Sequence, residues 1–181
     1  MRLLLTVLLL ALVTACGETP SEDAKAASRA TDVAFVTELM HRDAALLNLL
    51  DVGLGRPLDP AVVAATEQLR VDATARIETA ADQLESWGEK VPKTVRDHAF
   101  EHSSDGHDIP SLGGMPTGDD LERLGRVPRA GFEAAFLPLI ANALEATREL
   151  ASGLEADAAA VADLARDTTR SCATALEALS R

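Results

Sequence analysis

Aromatic residues make up only 3% of this chain, and cysteine occurs twice. A core built on Phe, Tyr and Trp is therefore excluded, and alanine and leucine must carry it. Two cysteines, Cys16 and Cys172, are too few for a disulfide framework. An excess of cations is also missing. The formal net charge of −12 repels phosphate backbones and anionic headgroups, which argues against nucleic-acid binding. Beyond the first residues no apolar run approaches the roughly 20 residues of a membrane-spanning helix. The motifs of common catalysts are absent too. There is no HExxH, no GxSxG and no phosphate-binding glycine loop. SLGGMPTGDD has glycines but neither a preceding strand nor a Lys, so it reads as a turn into a short helix.

What is present begins at the N-terminus, MRLLLTVLLLALVTAC. Arg2 is a short positive region, and Leu3 to Val13 form an apolar core interrupted only by Thr6. That length suits a signal peptide and is too short to span a membrane. Val13-Thr14-Ala15-Cys16 resembles the lipobox of bacterial lipoproteins. The resemblance implies cleavage before Cys16 and acylation of its sulfur. Acyl chains anchor a protein because each buried CH2 contributes about 0.8 kcal/mol. Residues 1–15 are then a signal peptide, and 16–30 hold the lipidated Cys16 and a flexible tether. Residues 31–181 form one domain, long enough for a real core. With Cys16 lipidated, Cys172 has no partner in the chain. It falls on an apolar helical face and reads as a buried small hydrophobe.

Four long helices are expected in the domain. The first runs from about Thr31 to Asp51, with Phe35, Leu39, Leu46 and Leu49 or Leu50 at helical spacing. The second starts at Asp59-Pro60, a cap followed by a residue without an N–H. Its stripe is Val62, Ala65, Leu69, Ala73, Ile77, Ala80, Leu84 and Trp87, ended by Gly88. Residues 89–116 are a long connection, followed by a short helix capped by Thr117. The fourth segment runs from near Pro128 to Ser152, with Pro138 inside it. That proline predicts a kink or a later start. The last helix, from about Ala156 to Leu179, carries Val161, Ala165, Thr168, Cys172 and Ala175. The two hairpins look alike. Phe35 aligns with Phe136, and Leu69, Ile77 and Leu84 align with Leu164, Cys172 and Leu179. The predicted fold is all-α: a four-helix bundle of two duplicated helical hairpins with a long central connection.

From about residue 31 onward the chain resembles the "domain of unknown function three-hundred-and-five" family of bacterial lipoproteins. The carriers are DVAFVTELMHRDAALLNLL, IETAADQLESWG, GGMPTGDDLERL and GFEAAFLPLIANALEATRELA. The resemblance implies a ferritin-like fold, with His-His pairs, Met, Gln and Glu pointing inward and metal, particularly copper, in some members. This chain departs from that pattern. Arg42-Asp43 and Ala143-Leu144 stand at the His-His positions, and Leu49 and Leu150 at the Met positions. Ala73, Arg76, Thr168 and Ser171 stand at the Gln and Glu positions. Alanine, leucine and arginine do not ligate copper, zinc or iron, so no metal is expected in the core.

Other donors cluster in RDHAFEHSSDGHD. His98, His102 and His107 alternate there with carboxylates, including Asp108, a donor set suited to copper or zinc. The bland reading of the same segment is a solvated polar loop. His41 reads as a surface or rim side chain. The expected protein is thus not an enzyme and needs no cofactor. It is extracytoplasmic, lipid-anchored to the cell membrane through Cys16, and acts by binding an envelope protein or by a structural role. The alternative is a transition-metal binder using His98, His102, His107 and Asp108.

Overall fold

The computed structural model describes residues 22–94 and 112–180, and among them every regular element is helical. Helix α1 spans Glu22–Val52, α2 Pro60–Ser86, α3 Gly118–Gly125, α4 Phe132–Ser152 and α5 Ala159–Leu179. A single 3-10 turn, Arg129–Gly131, leads into α4. None of these helices is long and apolar enough to cross a membrane.

Each boundary follows from local chemistry. Helix α1 starts at Glu22, ahead of the expected Thr31, so part of the segment read as a tether is helical. EDAKAASRA has no apolar stripe, but its alanines, Lys25 and Arg29 are strong helix formers. Glu22 and Asp23 also face the positive end of the helix dipole. Helix α2 starts where expected: the Asp59 carboxylate accepts from the Ala61 N–H at 2.8 Å, and Pro60 opens the first turn. It ends at Trp87 and Gly88. With φ at +73°, Gly88 lets the Glu89 N–H turn back to the Leu84 carbonyl at 2.9 Å. Thr117 and Asp120 form a reciprocal capping box at the start of α3. Helix α4 begins at Phe132 and continues through Pro138. The carbonyl that Pro138 leaves without its helical partner belongs to exposed Ala134, where water can satisfy it.

The helices close a ring. Helix α1 packs on α2 and α4, and α5 packs on α4 and α2, while α3 covers α1 and α4. Each long helix therefore touches its hairpin partner and its counterpart in the other hairpin, the pattern a duplicated hairpin produces. The core lies in two clusters. One, nearer the α1–α2 turn, holds Leu46, Leu49, Leu69, Phe132, Phe136 and Ile140. The other, nearer the start of α1, holds Phe35, Val36, Leu39, Leu84, Val161 and Leu164. Buried polar residues separate them: Asp43 on α1, Arg76 on α2, Thr147 on α4 and Thr168 on α5.

Candidate functional site

The polar layer between the two clusters is where chemistry-bearing groups meet. Asp43 lies between Met40 and Leu46 on the apolar face of α1, and Arg76 lies between Ala73 and Ala80 on that of α2. Asp43 is 0% exposed and Arg76 7%. The guanidinium grips the carboxylate with two hydrogen bonds, Nε to Oδ2 at 2.9 Å and Nη2 to Oδ1 at 2.6 Å. This is the fork geometry that makes Arg–carboxylate pairs strong. Nη1 of Arg76 reaches the Ser171 hydroxyl at 3.3 Å, and that hydroxyl donates to Asp72 Oδ2 at 2.6 Å. Gln68 completes the chain by donating to Asp72 Oδ1 at 2.7 Å. The network thus runs from the centre of the bundle to a groove between α2 and α5 of about 390 Å3, lined in part by Gln68, Asp72 and Ser171.

Arg76 and Ser171 hold corresponding places in the two hairpins, and they touch. A residue that meets its own counterpart lies beside the axis relating the copies. The ion pair itself exists in one copy only, because Leu144 stands where Asp43 does in the other.

Burial sets the electrostatics of the layer. Burial pushes the Asp43 carboxyl above its ordinary value, and the hydrogen bond and charge of Arg76 oppose that shift. Cys172, next to Ser171, is fully buried, and burial pushes its thiol up to about 11. It is therefore protonated at neutral pH and not a nucleophile. The Thr168 hydroxyl is buried without a hydrogen-bond partner. The groups of the network that reach solvent are Ser171, Asp72 and Gln68, at the groove between α2 and α5.

A core metal does not fit these residues. The one carboxylate at the inward positions, Asp43, has both oxygens engaged by a guanidinium whose fixed charge would repel a cation. Ala73, Ala143, Leu144 and Leu49 line the same interior and offer no donor. Among the described residues no group of three or more His, Cys, Asp or Glu is placed to hold a metal ion. The sequence reading placed Asp43 and Arg76 at inward positions, found no metal-ligand set there and did not pair them. The structure shows a charged pair there instead, made possible because each charge satisfies the other. Both residues interrupt apolar stripes on helices expected to pack together, which marks them as inward but not as partners.

Two further polar contacts were missed. Asp32, 2% exposed, accepts from the backbone N–H groups of Asp157 at 3.4 Å and Ala158 at 2.9 Å. It thereby caps α5, whose own N-cap residue Ala158 supplies no side-chain bond. Buried Arg42 bonds Glu38 through Nε at 2.9 Å and Nη2 at 2.7 Å, and donates to the Gly113 carbonyl at 3.1 Å. That contact pins the end of the central connection to α1. His41 is part-buried, at the rim of the bundle; burial lowers its pKa, with Glu38 opposing. Cys16, His98, His102, His107 and Asp108 lie outside the described residues.

These features define a helical bundle of paired hairpins. Such an architecture is already known in a solved structure. The chain is similar to a DUF305 fragment from Deinococcus radiodurans, with a TM-score of 0.68 and 18% identity over 83% of this chain and 93% of that one. The likeness establishes the fold as the one the sequence resemblance implied. No protein-family model and no curated protein matches the chain.

Proposed function

We propose that this chain is a divergent DUF305 protein: an extracytoplasmic lipoprotein, anchored to the cell membrane through Cys16, whose bundle is non-catalytic and serves an envelope protein partner or a structural role. The observation that supports the non-catalytic reading is the buried ion pair at the centre of the polar layer. Asp43 and Arg76 satisfy each other out of reach of solvent, and the neighbouring thiol is held protonated. The anchor rests on the apolar run and the Val13-Thr14-Ala15-Cys16 sequence. Expression of the full chain and of Cys16→Ala in a bacterium fed labelled palmitate tests it. The native chain should be labelled and fractionate with membranes, and the variant should be unlabelled and accumulate as precursor. A labelled, membrane-bound variant would sink this reading.

A second reading, binding of copper or zinc by residues 97–108, is favoured by one sequence observation. Three of the chain's four histidines fall there among carboxylates.

A further inference from the structure

The chain has three lysines, Lys25, Lys90 and Lys93, and one tryptophan, Trp87. All four belong to the two stretches that meet at one end of the bundle. Lys25 sits near the start of α1. Trp87 ends α2, Lys90 follows it, and Lys93 lies on the segment that leaves that end. The two stretches are tied together by Arg29. Its guanidinium donates to the Trp87 carbonyl at 2.7 Å and lies over the indole ring, 5.3 Å from the centroid. At the opposite end, around the α1–α2 turn, α3 and the 3-10 turn after it, the basic residues are all arginines, Arg56, Arg123, Arg126 and Arg129.

Charge is divided the same way. The whole chain carries −12, yet acidic and basic residues are equal in number within residues 22–29 and again within 85–93. The α4–α5 turn adds Glu155 and Asp157 at that end, which confines its basic side chains to the α1–α2 half. This half therefore lacks the negative excess that would repel an anionic lipid surface. Lysine stems can lie along apolar material while their amines reach phosphate, and an indole ring suits headgroup depth.

Reach completes the argument, and here it rests on the proposed lipid at Cys16. Helix α1 starts at Glu22, six residues beyond Cys16. A fully extended chain of that length spans about 20 Å at most. Helix α1 itself has 31 residues, which is about 46 Å of continuous helix. The start of α1 is therefore held near the bilayer, and the α1–α2 turn can lie far from it. We infer that the end of the bundle formed by the start of α1 and the end of α2 seats on phospholipid headgroups, so that α1 stands away from the membrane and the α1–α2 turn and α3 are presented outward.

The test uses the full chain, processed in cells and reconstituted into vesicles of phosphatidylethanolamine and phosphatidylglycerol. One cysteine is introduced at a time, as Lys90→Cys or Leu54→Cys, both at exposed positions. Buried Cys172 gives no background labelling. Each protein carries a fluorophore, and the vesicles carry a headgroup-attached quencher. The label at 90 should lose most of its emission and the label at 54 little. Reversing Lys25, Lys90 and Lys93 to Glu, with the label at Ser86→Cys, should reduce quenching there while the protein stays on the vesicle. Lipidated protein quenched equally at 90 and 54 overturns the orientation alone. A mass spectrum without diacylglycerol on Cys16 overturns the anchor and the orientation with it.

Discussion

Asp43 tolerates the centre of the bundle because Arg76 lies against it, and the reverse holds equally. Asp43→Ala would leave the Arg76 guanidinium buried without its carboxylate, with Ser171 still in reach, and is expected to cost about 3–5 kcal/mol of stability. Replacing both, as Asp43→Leu with Arg76→Met, removes both burial penalties and should come close to native stability or exceed it. Urea unfolding of the native chain, both single variants and the double variant checks this. A double variant as unstable as Asp43→Ala would show that the pair acts through something other than its charges.

Cys172 gives a second prediction at this scale. Its thiol is raised to about 11 in the folded protein, against about 9 when exposed. The folded state thus holds a proton that the unfolded state releases between those values, so the Cys172 contribution to stability falls as pH rises from about 9 toward 11. At neutral pH the thiol should react with an aromatic disulfide reagent only as fast as the protein opens. Reaction at the rate of a free thiol in native protein would contradict its burial. Of these residues, Cys172 was legible as a buried hydrophobe from its place on an apolar stripe. The pairing of Asp43 with Arg76 was not, because periodicity gives the face of each helix but not the register between two helices.

At the scale of elements, starts with a specific cap were legible and starts without one were not. Asp59-Pro60 and Thr117 mark their helices by side chains that bind the first free N–H groups. Helix α1 continues through residues with helix propensity but no apolar pattern, and α5 is capped by Asp32 from another helix. Neither shows in a window of local sequence. The same holds for Gly114. Its φ is +80°, and a Cβ there would stand 2.4 Å from the Ala146 Cβ on α4. Gly114→Ala should therefore cost about 1–3 kcal/mol, from overpacking and from backbone strain. Adding Ala146→Gly should restore the steric part and leave the strain, so thermal melts of the two variants should differ. Identical melts for Gly114→Ala and the native chain would mean that the Leu112–Met115 turn does not pack on α4 as described.

For the molecule as a whole, the four stripes were enough to specify a bundle, because each long helix has one apolar face and the short turns force neighbours to pack antiparallel. The interior chemistry follows from which residues occupy those faces. Ala73, Ala143 and Leu144 supply no ligands, and Asp43 is neutralised by Arg76. A cation in that interior would lack donors and sit beside a guanidinium, a strongly unfavourable arrangement. We propose that any specific metal binding by this chain comes from residues 97–108, where His98, His102, His107 and Asp108 supply imidazole and carboxylate. Neutral imidazoles predominate above about pH 6.5, so such binding should weaken on mild acidification as protons compete for the ring nitrogens. Titration of the mature chain with copper or zinc, followed by calorimetry and by helicity in the far ultraviolet, measures binding and fold together. Replacing His98, His102 and His107 by Ala should abolish specific binding and leave helicity unchanged, because the bundle is held by its apolar clusters and its polar layer. Stoichiometric binding that survives the triple replacement would place the metal in the bundle after all, and would require the Asp43–Arg76 pair to open to admit it.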